Sequence, residues 1–171
     1  NTMIAYINGK LTYKSPTDVI IEASNGVGYQ IHISLYTYNQ IANLEETKLL
    51  TTFIVKEDSH TLYGFADKDE QNLFGHLISV SGVGGGSAML MLYSLSAVEI
   101  AGAINTANVS MLKSIKGIGE KTAQRIVVDL KGKLGKHEGG ISQILTPTYN
   151  KNKDEEVKFL QIWVFPKEQN V

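Results

Sequence analysis

Residues 112–130 read LKSIKGIGEKTAQRIVVDL and residues 77–95 read LISVSGVGGGSAMLMLYSL. Set 35 positions apart, they are copies of one pattern that pivots on Gly117-Ile118-Gly119 and on Gly82-Val83-Gly84. The same offset pairs Leu77 with Leu112, Val80 with Ile115, Ala88 with Ala123, Met91 with Ile126, Leu92 with Val127 and Leu95 with Leu130. Self-similarity at a fixed offset of this size marks a duplicated supersecondary unit. In each copy one segment with helical apolar spacing runs into the glycines and a second leaves them, which predicts helix, tight hairpin, helix. One glycine can take positive φ to turn the chain, and the other, lacking a Cβ, lets a ligand approach the backbone. The first amides of the following helix have no intrahelical acceptor and carry the positive end of its dipole, so the arrangement is a seat for phosphate.

An αα-hairpin closed by a glycine cap is the plainer reading of one such tripeptide. Gly26-Val27-Gly28 provides the control: it joins the alternating segments Val19 to Ala23 and Tyr29 to Ile33, so it reads as a β-hairpin turn. Duplication, helical context and nearby basic residues distinguish the other two. Two seats one repeat apart can grip phosphates on both strands of a duplex.

Neither glycine cluster reads as a nucleotide loop. Gly82-Val83-Gly84-Gly85-Gly86-Ser87 has serine where a dinucleotide fingerprint needs its last glycine and follows a helical segment rather than a strand. In Gly119-Glu120-Lys121-Thr122 a glutamate interrupts the Gly-Lys-Thr of a Walker loop, so no ATP site is expected.

The charge is uneven. Over the whole chain it is -1, yet residues 113–136 carry seven basic side chains against two acidic, net +5, whereas residues 1–70 carry five basic against nine acidic, net -4. The basic field falls on the second repeat, where phosphates would be held. There is no cysteine, which excludes disulfides and cysteine metal sites. The four histidines, His32, His60, His76 and His137, have no ligand-like spacing, and no catalytic constellation of serine, histidine and acid or of paired carboxylates is found. No cofactor or metal is expected. No apolar run approaches the length of a membrane span and no signal-peptide pattern opens the chain, so a cytoplasmic protein is expected.

At 171 residues, 43% of them hydrophobic, the chain can bury a real core. Its organisation is expected to be α+β. Residues 3–66 read as short alternating strands, Ile4 to Ile7, Leu11 to Tyr13, Val19 to Ala23, Tyr29 to Ile33, Lys48 to Val55 and Thr61 to Phe65, with turns at Asn8-Gly9, Ser15-Pro16 and Asn25-Gly26. Five or six such strands suggest a small closed barrel of OB type, since closure removes exposed edges. Tyr6, Tyr13, Tyr29, Tyr36, Tyr38 and Tyr63 are assigned to its core and rim. Residues 67–134 form the all-α domain with both hairpins, residues 135–153 read as a flexible linker, and residues 154–171 as an amphipathic helix capped by Asp154, too short to be a domain.

With barrel, paired hairpins and linker in this order, residues 3–134 resemble the RuvA family, the bacterial Holliday-junction-binding subunits of the branch-migration complex. The most specific stretches are Asn25-Gly26-Val27-Gly28-Tyr29, Val55-Lys56-Glu57-Asp58 running to Leu62-Tyr63-Gly64-Phe65, Gly82-Val83-Gly84, and Gly117-Ile118-Gly119-Glu120-Lys121-Thr122-Ala123-Gln124-Arg125. The resemblance implies an OB barrel, two helix-hairpin-helix motifs and a mobile C-terminal domain that binds the RuvB ATPase motor, of which residues 154–171 would be the incomplete start. It further implies a homotetramer holding a four-way junction, a RuvC resolvase as another partner, and a subunit of an ATP-dependent helicase that is not itself catalytic.

By the same resemblance Gly82, Val83, Gly84, Gly117, Ile118, Gly119, Lys121, Thr122 and Arg125 hold DNA, with Lys56 on a nearby phosphate. Glu57 and Asp58 become an acidic pin at the junction centre, where carboxylates facing converging phosphates favour separated strands. Read without the family, they are two solvated turn residues. Lys121 and Arg125 lie one turn apart and face the same side, whereas Glu120 beside them is expected to repel phosphate unless it turns away. Val157, Leu160 and Phe165 correspond to the motor-binding surface. The chain departs from many members at Gly86, where they have lysine, which leaves the first seat to its backbone amides, and Gly85-Gly86 weakens the start of its helix. Two other classes remain open beside this reading. One is a glycosylase or nuclease subunit, since paired hairpins occur there, and the other is a single-strand binder using the barrel, which would want exposed aromatics in a basic groove.

Overall fold

A computed structural model describes residues 3–134, which belong to one compact unit. The expected linker and the segment carrying Val157, Leu160 and Phe165 lie outside the described residues, as does His137. Five strands come first, β1 (Tyr6–Lys14), β2 (Asp18–Glu22), β3 (Gly28–Ile33), β4 (Glu46–Val55) and β5 (His60–Phe65), with helix α1 (Leu35–Ile41) between β3 and β4. They close in the order β1-β2-β3-β5-β4, antiparallel throughout except for the β3–β5 pair. This is the OB arrangement the alternation predicted. Its interior is filled by Ile7, Val19, Ile21, Ile31, Ile33, Leu49 and Leu62, inward positions of a period-two pattern, together with Ile41 from α1.

One expected turn is absent. Asn8-Gly9 lies inside β1, opposite Lys48 and Thr47 of β4, and a single strand replaces the two foreseen there. The first half of β1 pairs with β4 and the second with β2, and Lys10 is shared by both ladders. A Cβ at Gly9 would run into the Glu22 carbonyl, so the residue serves close strand packing rather than chain reversal. Gly26, with φ +82°, does turn the β2–β3 hairpin as foreseen. Tyr63 is 8% exposed and Tyr29 and Tyr38 pack on the core, while Tyr6, Tyr13 and Tyr36 lie outside.

Helices α2 (Lys68–Ile78), α3 (Gly85–Ser94), α4 (Ala97–Asn105), α5 (Val109–Lys113) and α6 (Glu120–Leu130) follow. The repeat is α2–hairpin–α3 and α5–hairpin–α6, with α4 as an intervening helix started by a capping box between Ser96 and Glu99. Of the six side-chain pairs at offset 35, eleven members are buried, and Leu95 is half-buried. The duplication extends to a detail that apolar spacing does not reveal: Ser79 Oγ donates to the His76 carbonyl and Ser114 Oγ to the Met111 carbonyl, both at 2.6 Å.

Barrel and helices meet through Phe74, whose ring lies 5.0 Å from both Tyr63 and Phe65. Beside it Glu70 of α2 is buried at 2% exposure and accepts from Ser34 Oγ at 2.6 Å and Thr37 Oγ1 at 3.0 Å. Thr37 Oγ1 in turn accepts from the Ala66 amide. Burial pushes the Glu70 carboxyl above its ordinary range, and the two hydroxyl donors hold it back.

Candidate nucleic-acid interface

Both hairpins present the same backbone. Gly82 and Gly117 have φ of +92° and +87°, the left-handed conformation that ends one helix and turns the chain. Val83 and Ile118, each 5% exposed, plug the hairpins into the core, so the flanking glycines face outward. Gly84 and Gly119 are the N-caps of α3 and α6, with extended φ/ψ of -87°/173° and -80°/169° and no side-chain cap. A residue with a Cβ could adopt that conformation, and a Cβ at Gly119 would meet no atom within 4 Å. Folding does not demand glycine at 119. Its smoothness leaves open space in front of uncapped amides that lack intrahelical acceptors. Ala88 and Ala123 close the first helical hydrogen bonds onto the Gly84 and Gly119 carbonyls, both at 2.9 Å.

Lys121 and Arg125 project from α6 on one face, exposed, with Thr122 half-buried between them. Neither cation has a hydrogen-bond or ion-pair partner among the described residues. An open groove of about 580 Å³ brings them together with the first hairpin: Ser81 and Gly82 form one side, and Lys121, Thr122, Gln124, Arg125, Val128 and Asp129 the other. Thus residues from both motifs share one concave surface. Sequence reasoning missed Ser81 and Gln124, because only the packing of the first hairpin against α6 brings them there.

Glu120 does not oppose the second seat with a free charge. Its Oε2 pairs with Lys113 Nζ at 3.2 Å, and the pair is exposed, so its contribution to stability is below about 1 kcal/mol. Glu57 and Asp58 sit exposed in the β4–β5 loop, closed by a 2.7 Å bond from the Lys56 amide to the Ser59 carbonyl. Among the described residues no group of histidine, cysteine, aspartate or glutamate side chains is arranged to hold a metal ion. No single described helix is long and apolar enough to cross a membrane.

An OB-type barrel joined to a tandem helix-hairpin-helix module with two outward glycine hairpins defines the class of protein. Comparison with family models gives the same division: residues 3–64 match the RuvA N terminal domain and residues 74–132 the SAM-like helix-hairpin-helix tandem. The chain is 48% identical over 163 residues to the Holliday junction branch migration complex subunit RuvA of Flavobacterium psychrophilum, covering 95% of this chain and 83% of that protein. It is 46% identical over 167 residues to the protein of that name from Christiangramia forsetii, covering 98% and 86%. For that of Bacteroides fragilis the figures are 45% over 160 residues, 90% and 79%. The chain belongs to the RuvA family.

Proposed function

We propose that this protein is the Holliday-junction-binding subunit of a branch-migration complex acting in recombination and DNA repair in the bacterial cytoplasm. The observation that carries the reading is the pair of uncapped, outward glycine hairpins, with a groove that joins Gly82 of the first motif to Lys121 and Arg125 on the helix leaving the second. Amides at Gly82, Gly84, Gly117 and Gly119, with Thr122, bind phosphate oxygens, while Lys121 and Arg125 neutralise neighbouring charges. The Val83 and Ile118 amides donate to the Val80 and Ile115 carbonyls at 3.0 and 3.1 Å, so these two residues serve the grip by plugging the hairpins. None of these groups reads a base edge, so binding is independent of sequence. Selectivity for the junction comes from presenting several such seats around one centre in a homotetramer, with Glu57 and Asp58 repelling phosphates where strands converge.

The subunit holds DNA and leaves ATP hydrolysis to a RuvB motor, docked through the segment of Val157, Leu160 and Phe165. RuvC resolvase would meet the same junction. The barrel, residues 3–66, and the helical domain, residues 67–134, divide this work, the first carrying the pin and the second the seats. A gel-shift series with an immobile four-way junction, linear duplex and single strand tests the reading at moderate salt. Preference for the junction is expected; equal affinity for junction and duplex would sink it.

A further inference from the structure

The two seats are copies in backbone and not in charge. At offset 35, Lys121 corresponds to Gly86 and Glu120 to Gly85, and residues 77–95 contain no lysine or arginine at all. The first copy therefore contributes no cation of its own, and Lys121 and Arg125 of α6 reach its Gly82 side only across the shared groove. The structure supplies the missing charge from elsewhere. Lys56, in the β4–β5 loop of the barrel, places its Nζ 4.0 Å from where a side-chain carbon would begin at Gly84. It is exposed, and its ammonium takes no hydrogen-bond or ion-pair partner among the described residues.

The glycine pair that leaves this seat without charge also admits the barrel. Gly85 is buried, and a Cβ there would lie 2.8 Å from the ring and hydroxyl of Tyr63. Tyr63 is fixed in turn by Phe74, at 5.0 Å between ring centroids, and by His32, at 5.8 Å. Glutamate, the counterpart in the second repeat, could not occupy that space. Glycine at 85 thus lets β5 press against the first turn of α3, and that packing carries the loop between β4 and β5 to the seat.

We infer that Lys56 is the cation of the first hairpin seat, donated across the barrel–helix boundary to a phosphate held at Gly84, and so takes the part that Lys121 takes at the second. The inference rests on the junction-binding reading above. It gives Lys56 a partner in the duplex arm, distinct from a role at the junction centre beside Glu57 and Asp58. A lysine ammonium on one phosphate releases about one condensed counterion, which is visible as salt dependence.

The test compares wild type, Lys56→Ala, Lys56→Ala with Gly86→Lys, and Lys121→Ala, each as the full chain, binding linear duplex and four-way junction over a salt series. A Cβ at Gly86 meets nothing within 4 Å, so the added lysine is accommodated. Lys56→Ala is expected to reduce the slope of log K against log salt by about 0.9 per protomer engaged, on duplex and junction alike. Gly86→Lys should restore it. An unchanged slope in Lys56→Ala, with a reduced one in Lys121→Ala, overturns the inference and leaves the binding reading standing. A defect confined to the junction and not rescued by Gly86→Lys also overturns it, assigning Lys56 to the centre. No change in either single variant would remove the binding reading itself.

Discussion

Gly117 and Gly119 stand two residues apart and are glycine for different reasons. At φ +87° Gly117 answers to the fold, and Gly117→Ala should destabilise the protein by about 1–2 kcal/mol, read as a lowered midpoint in denaturant. Gly119 answers to whatever approaches the amides. Lys121 and Arg125 are exposed and unpaired among the described residues, so replacing both by alanine should leave unfolding within about 0.5 kcal/mol of wild type. The same double variant should weaken all DNA substrates and reduce the salt slope by about 0.9 for each phosphate that is no longer neutralised. A retained slope would detach these two residues from DNA. Residues whose chemistry lies in their type and local spacing, such as the glycine pairs and the Lys121–Arg125 pair, are legible in the chain. The pairing of Glu120 with Lys113 and the place of Lys56 beside Gly84 are not, because tertiary packing brings those partners together.

Among the elements, strands with clear alternation and helices with long apolar periods are readable, and two short or ambiguous pieces are not. Helix α1 has seven residues, of which only Thr37 and Ile41 are buried, too few to display a helical period. Its start is set by Ser34 Oγ accepting from the Thr37 amide, a cap hidden among β-prone residues. In β1 the Asn8-Gly9 pair, a strong hairpin signal locally, is overruled by two ladders sharing one strand. The joint between α1 and α2 also makes a prediction. Glu70 has a folded pKa raised by burial above the ordinary 4.5, so its contribution to stability is fully present below about 4.5 and is lost as pH rises through the folded value. Glu70→Gln cannot ionise. The stability of wild type relative to Glu70→Gln should therefore decline as pH rises from about 4.5, measured by denaturant titration at each pH. A difference independent of pH would show that Glu70 does not titrate differently on folding.

For the whole molecule, barrel and repeat are visible as separate patterns, whereas their meeting through Tyr63, Phe74 and Gly85 is not, since it depends on a steric vacancy between segments of unlike period. That packing matters because it sets an acidic loop and a basic groove on one body. Replacing Glu57 by glutamine and Asp58 by asparagine should leave junction binding equal or tighter while reducing junction opening and discrimination against duplex, as followed by fluorescence at matched occupancy. Unchanged opening and preference would return both residues to the status of solvated turn charges, worth under about 1 kcal/mol. The central claim is that two backbone seats grip phosphate, and the most direct measurement is the four-way-junction affinity of Gly84→Val with Gly119→Val, with circular dichroism melting run alongside. The account predicts a folded protein that has lost junction binding although no charge has changed. A folded double variant that binds the junction as tightly as wild type would contradict it.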